Sequence, residues 1–212
     1  ILKRYKTKEK IANLNNSHYE TLRKMSMGKF NYPKFSKLRH LAKTSVGVSS
    51  EVYEIMIPMI IDNYYHFNNL IEQLDQQITT LYNKTRSLIH TIPGIGIITA
   101  ASIYAEIGNI NRFNNAGQLT AYAGLDVSVN QSGLKEHRGK IVRRGSPLLR
   151  KKLFNYSFIS LRFIPQFHDY YHKKKSLGKH HKVVLIHLCR KILRMIFHIE
   201  SNKIPFDINK VK

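Results

Sequence analysis

An all-α fold, with a long coiled-coil helix followed by a helical domain containing a helix-hairpin-helix motif, is predicted by three features of this 212-residue chain. The first is an apolar spacing that alternates 4 and 3 from Tyr53 to Leu88. The second is a series of helix starts and stops written in Asn, Ser-Pro and Gly. The third is a Pro-Gly-Ile-Gly turn between two helical stretches, from Pro93 to Gly96.

Taken in order, residues 5–13, 17–26 and 34–44 read as short helices, broken by Asn15-Asn16, by Gly28 and by the Asn31-Tyr32-Pro33 turn. The heptad seam then runs through Tyr53, Ile57, Ile60, Tyr64, Phe67, Ile71, Leu74, Ile78, Leu81, Thr85 and Leu88. Pro58 removes a backbone donor, so the helix is expected to start or kink there and to continue from Ile60 to Leu88. Such a helix pairs with another, within the chain or as a dimer; a homo-oligomer through this seam is the expectation.

Residues 91–108 carry the hairpin, Thr91-Ile-Pro-Gly-Ile-Gly96, and the helix after it. Gly94, Ile95 and Gly96 are candidate nucleic-acid contacts: glycines let the backbone approach a phosphate, and the next helix offers free N–H groups. A plain packing joint between two helices is the competing reading, and the lack of Lys or Arg from 87 to 111 favours it. Asn115 to Ala123 reads as a helix ending at Gly124. Residues 125–145 read as a polar, glycine-punctuated loop, longer than ordinary connections. Ser146-Pro147 opens a helix to about Phe163, Pro165 opens one to 177, and an amphipathic helix covers 181–199. The organisation expected is a basic linker over 1–50, a coiled-coil helix over 51–90, a domain over 91–200 and a basic tail over 201–212.

The charge is uneven. Thirty-five Lys and Arg against 13 Asp and Glu give a net charge of +22, while 42% hydrophobic content marks a folding chain. Residues 1–50 carry 12 basic and 2 acidic side chains, and residues 135–212 carry 20 and 4; the middle is slightly acidic. A polyanion, foremost nucleic acid, is the partner this implies, with an anionic membrane surface second. One cysteine, Cys189, excludes a disulfide framework and a cysteine-based zinc site and suits a reducing cytosol. No apolar run is long enough to span a membrane, and no signal peptide is expected. The chain opens at Ile1 in mid-pattern, so it is expected to be a fragment with further sequence upstream.

The scattered acids, Glu51, Glu54, Asp62, Glu72, Asp75, Glu106, Asp126 and Glu136, do not suggest a metal site, so no cofactor is expected in this chain. His187, Cys189, His180 and His181 read as ordinary helix residues. Ser132, followed by Lys135, Arg138, Lys140, Arg143, Arg144 and Arg150, is the candidate nucleophile, because guanidinium groups offset the charge of an attacked phosphodiester. A solvated Ser-Gly turn is the alternative reading of the same residues.

Together, Ile92-Pro-Gly-Ile-Gly96, Ala105-Glu-Ile-Gly108, Arg112-Phe113, Leu119-Thr-Ala-Tyr-Ala-Gly-Leu-Asp126, Gln131-Ser-Gly133, Gly139-Lys-Ile141, Arg144-Gly145, Leu149-Arg150, Tyr170-Tyr171, Gly178-Lys179 and Arg190-Lys191-Ile192 form an ordered series. It resembles the C-terminal domain of insertion-sequence transposases of the 110/116/902 family. Residues 1–90 resemble that family's linker and coiled coil more loosely. Val127 stands where the family usually shows Pro. The resemblance implies a DEDD-type, RNA-guided DNA recombinase, acting in the bacterial cytoplasm at the nucleoid. In it Ser132 attacks DNA, Lys135, Arg138, Lys140, Arg143, Arg144 and Arg150 hold the phosphate, and a structured guide RNA assists. It also implies magnesium bound by carboxylates of a RuvC-like domain that this sequence does not contain, so the chain alone is expected to bind nucleic acid without completing recombination. A non-catalytic nucleic-acid-binding module is the alternative function.

Overall fold

The computed structural model describes residues 1–48, 50–126 and 144–211, together with the backbone of 130–132 and 135–137. The chain divides into two compact units, Ile1–Leu74 and Asp75–Lys212.

The first unit contains α1 (Leu2–Tyr5), α2 (Lys8–Ala12), α3 (Asn16–Met25), α4 (Tyr32–Thr44) and most of α5 (Glu51–Lys84). The single helix expected over 5–13 is two: Lys6 has φ +43°, and the Thr7 hydroxyl accepts from the Lys10 N–H to begin α2 afresh. Asn15 and His18 form a reciprocal cap on α3, and Asn31 caps α4 with Pro33 inside its first turn. Tyr5, Ile11, Leu14, Leu22 and fully buried Phe35 make a small core of their own.

Helix α5 runs through Pro58 without interruption. The proline stands in the second turn, where one lost bond is tolerable because the flanking turns are intact. The helix stops at Lys84, one turn before the expected end at Leu88, because Arg86 takes a left-handed φ of +56°. Apolar seam side chains from Tyr53 to Leu74 are largely exposed, Ile60 at 58%, Tyr64 at 63% and Phe67 at 60% among them.

The second unit continues with α6 (Ile97–Ile107), α7 (Ala116–Tyr122), β1 (Asn130–Ser132), β2 (Lys135–His137), α8 (Pro147–Ser160), α9 (Pro165–Ser176) and α10 (His181–Asn202). Short 3₁₀ turns occupy Ile89–Thr91, Ile110–Arg112 and Ile208–Lys210. Helix α10 is the central column, packed against α7, α8 and α9, with Val184, Leu185, Leu188, Cys189, Ile192, Leu193, Ile196 and Ile199 buried. That stripe recurs at helical spacing, which is why the amphipathic reading of 181–199 holds and extends by a turn to Lys203, whose left-handed backbone ends the helix. The fold is all-α apart from one antiparallel hairpin inside the stretch expected to be loop. Its register pairs Asn130 with His137, Gln131 with Glu136 and Ser132 with Lys135. Among the described residues no helix is long and apolar enough to cross a membrane.

Candidate nucleic-acid interface

The segment carrying Ser132 leaves α7 and returns to α8, and its two limbs are joined at the root. On the outgoing limb, Arg150 Nη1 donates to the Ala123 carbonyl at 3.1 Å, and Arg190 Nε donates to the Leu125 carbonyl at 2.7 Å. On the returning limb, the Ser146 N–H donates to the Tyr122 carbonyl at 3.0 Å. Gly145, at φ +131°, lies so close that an added Cβ would sit 2.1 Å from that same carbonyl oxygen. Only glycine permits this approach. Ser146 also caps α8 through the Leu149 N–H and donates its hydroxyl to the Glu106 carboxylate, so α6 holds the root from the other side. Tyr122 donates to the Glu106 carbonyl at 3.1 Å, and the Arg112 guanidinium covers the rings of Phe113 and Tyr122.

Between the two limbs in sequence, β1 and β2 pair with Ser132 opposite Lys135. Arg138, Lys140 and Arg143 lie outside the described residues. Arg144 is exposed at the root, and Arg150 is half-buried there, its guanidinium committed to Ala123.

The three hairpin residues of the 93–96 turn are placed differently from one another. Gly94 has φ +84° and lies against the Phe163 ring, where a Cβ would meet carbon at 2.6 Å; the Tyr156 hydroxyl donates to the neighbouring Pro93 carbonyl at 2.7 Å. Ile95 is buried in the core. Gly96 begins α6 with open space around its Cα and no side chain capping the first turn. A 3₁₀ turn, Ile89–Thr91, leads into this hairpin in place of a full helix.

A second cluster, which sequence reasoning passed over, lies on the faces of α9 and α10. The Tyr170 hydroxyl and His187 Nδ1 are 3.2 Å apart. The Lys191 ammonium lies 4.6 Å from the Tyr170 ring centre and the Lys174 ammonium 5.6 Å. Burial, then the charges of Arg190, Lys179 and Lys174, hold the His187 pKa below its ordinary value. Burial, then Arg194 and Lys174, lower that of Lys191 as well. Like charges pressed together in this way favour an anionic occupant. The signal was present in the sequence as His187, Arg190, Lys191 and Arg194, at the i, i+3, i+4, i+7 spacing of one helix face. Beside it, the Tyr171 hydroxyl meets His181 Nδ1 at 2.6 Å.

Few carboxylates neutralise this surface. Residues 144–211 contain 15 Lys and Arg and three acids. Of those, Glu200 is buried and accepts from Ser87, Leu88 and Lys203, and Asp207 caps the Asn209 N–H. Cys189 is no nucleophile: burial pushes its thiol up to about 12. Among the described residues no three His, Cys, Asp or Glu side chains come together in a way that would hold a metal, so the magnesium implied by the resemblance finds no ligand set among them.

Residues 86–172 match the family model of the IS116/IS110/IS902 transposases. The matched stretch holds the 93–96 turn, the root apart from Arg190, and the Ser132 hairpin, and ends within α9. Among curated relatives, a pilin gene-inverting protein of Moraxella bovis is 35% identical over 154 residues, covering 69% of this chain and 48% of that protein. The transposase for insertion sequence element IS1111A of Coxiella burnetii is 37% identical over 95 residues, 45% of this chain and 25% of that one. An insertion element IS110 protein of 43.6 kDa from Streptomyces coelicolor is 26% identical over 157 residues, covering 73% and 39%. The chain thus spans about half, or less, of the length of these curated relatives.

Proposed function

We propose that this chain supplies the DNA-handling part of an insertion-sequence transposase, in which Ser132 is the nucleophile. Its hydroxyl oxygen forms an ester bond to a backbone phosphorus, the bond from phosphorus to one sugar oxygen breaks, and the seryl proton passes in net to the departing sugar hydroxyl. One phosphodiester replaces another, so strand transfer needs no external energy and the reverse step rejoins DNA. Lys135, Arg138, Lys140, Arg143, Arg144 and Arg150 are proposed to offset the charge of the attacked phosphate.

The observation that carries this reading is the root itself: Arg150 and Arg190 fasten the outgoing limb, and Gly145 fastens the returning one. A mobile solvated loop has no use for two such arginines. Support also comes from the match over residues 86–172 and from relatives named for transposition and gene inversion. Gly96 is proposed to add a sequence-independent backbone contact at the start of α6, while Gly94, against Phe163, and Ile95, in the core, hold the turn and are not themselves contacts. A structured guide RNA and a second copy of the chain, joined along α5, complete the proposed assembly.

The test is covalent trapping. A full-length protein containing this chain, incubated with its element's DNA ends and denatured, is expected to leave a protein–DNA adduct at the peptide bearing Ser132. Ser132→Ala is expected to abolish the adduct while retaining DNA binding. An adduct that persists in Ser132→Ala, at another residue, would sink the assignment. If wild type and variant bind DNA equally and neither forms an adduct, the chain is instead a non-catalytic binding module.

A further inference from the structure

Beyond the hairpin, a cavity of about 340 Å³ opens between α9, the C-terminal half of α10 and residues 204–211. Phe167 and Ile199 are buried at its floor and Phe206 lines its side, while Lys191, Arg194 and Lys210 stand at its rim. Its fourth wall is built into the fold. The Phe206 N–H donates to Thr91 Oγ1 at 2.9 Å, the Ile204 N–H to the Ile199 carbonyl at 3.3 Å, and Gln166 Nε2 to the Ile208 carbonyl at 3.0 Å. One carboxylate, Asp207, also lines the cavity, and one of its oxygens accepts from the Asn209 N–H. Three cationic side chains, Arg194 and Lys210 exposed and Lys191 half-buried, therefore share the cavity with one acid and two phenylalanines.

We infer that this cavity takes a single unpaired nucleotide of a nucleic-acid strand, its base against Phe206 and its phosphate at Lys191, Arg194 and Lys210. The inference rests on the proposed nucleic-acid role of this half of the chain. Flat, apolar bases stack on aromatic side chains whatever their sequence, and their phosphates require cations within a nucleotide's reach. The volume stands at the low end of ligand pockets, so one nucleotide enters and a duplex does not. Lys191 is shared with the Tyr170–His187 cluster, which makes a continuous cationic track from that cluster to the cavity. A strand following this track places successive phosphates along α10 and turns one base inward.

The intact chain is titrated with a labelled single-stranded 12-mer of DNA, the same 12-mer of RNA, and versions in which every base is removed but every phosphate kept. Wild type is expected to bind the intact strand about tenfold more tightly than the abasic one, as stacking of one base provides. The sugar giving the larger ratio identifies the source. Phe206→Ala is expected to bring the ratio close to one, whereas Lys151→Gln with Lys152→Gln, two α8 lysines that do not line the cavity, weakens both strands alike. Independently of any variant, 4-thiouridine or 4-thiothymidine placed in the strand is expected to crosslink to the peptide containing residues 204–211 of the wild-type chain. Equal binding of intact and abasic strands, or crosslinks confined to other peptides, overturns the pocket and leaves the nucleic-acid role standing. Failure of every strand to bind at low salt removes the role itself.

Discussion

Arg190 reaches from α10 to donate its Nε–H to the carbonyl of Leu125 at 2.7 Å, at the base of the segment that carries Ser132. Arg190 belongs to a helix whose other face is the core, so the hairpin's root inherits the rigidity of the core. A lysine cannot replace this contact, since its ammonium lacks the lateral Nε–H and a planar fork. Arg190→Lys is expected to lower adduct formation at least tenfold in the full-length protein and to weaken low-salt DNA binding less than threefold. Charge-assisted bonds of this kind contribute on the order of 2 kcal/mol. Equal losses in both assays would show Arg190 to be merely another phosphate contact.

Two glycines test packing against binding. Gly145→Ala places a Cβ 2.1 Å from the Tyr122 oxygen at a φ of +131°, so it is expected to destabilise the chain by roughly 3 kcal/mol in urea unfolding. Gly96→Ala meets open space at an ordinary φ of −74°. Its stability is expected to stay within about 1 kcal/mol of wild type, which is the scale of N-cap changes. If Gly96 is where a phosphate approaches the backbone, DNA affinity in Gly96→Ala falls nonetheless. Unchanged affinity assigns the 93–96 hairpin to packing alone.

What the sequence disclosed was mostly local chemistry. Ser146 caps α8 as its Ser-Pro signal implies, Asn115 stands just outside α7 as its cap, and α7 to α10 begin within a residue or so of their signals. Long-range contacts were not legible. The 4-3 spacing carries on to Leu88, but the helix ends earlier because Ser87 and Leu88 bond Glu200, more than a hundred positions away. The hairpin has the sequence signature of a loop because Asn130-Gln-Ser and Lys135-Glu-His have no apolar alternation. Tyr170 and His187 lie on different helices, 17 positions apart, so only the fold pairs them. Ser132 was singled out by its neighbours in sequence, and Arg138, Lys140 and Arg143 lie outside the described residues.

Glu200 is the acid the fold depends on most. Its side chain is 2% exposed and accepts from the Ser87 hydroxyl and the Leu88 N–H, both at 2.8 Å, and from Lys203 at 2.9 Å. Removing it strands two donors beside the Tyr82–Ser87–His90 network. Glu200→Ala is expected to cost about 3 kcal/mol by chemical denaturation, and Glu200→Gln less, because the amide oxygen still accepts. A loss below about 1 kcal/mol for Glu200→Ala would mean that water satisfies these groups.

His187 makes both stability and binding respond to pH, in opposite directions. Burial first, and then Arg190, Lys179 and Lys174, lower its pKa from the ordinary 6.5. Below pH 6.5 the unfolded chain takes up this proton more readily than the folded one, so stability falls as pH drops from 6.5 through the folded value. DNA phosphate beside the ring favours the protonated form, so affinity rises over the same range. Wild type is expected to lose more stability between pH 7.5 and 5.5 than His187→Asn, and to gain more affinity for DNA. Superimposable pH profiles for the two proteins would remove His187 from the interface.

The exposed seam of α5 predicts self-association. Ile60, Tyr64, Phe67, Ile71 and Leu74 stand at alternating spacings of 4 and 3 on one helix, each more than half exposed. A single helix with such a stripe buries it only against a partner, and each seam residue removed from water contributes roughly 1–2 kcal/mol. The chain is expected to sediment as a dimer or larger species at micromolar concentration. Ile71→Glu with Leu74→Glu introduces like charges into the seam of both copies, and is expected to give a monomer whose second unit melts unchanged. A wild-type chain that stays monomeric at high concentration would show that this stripe serves something other than a second copy.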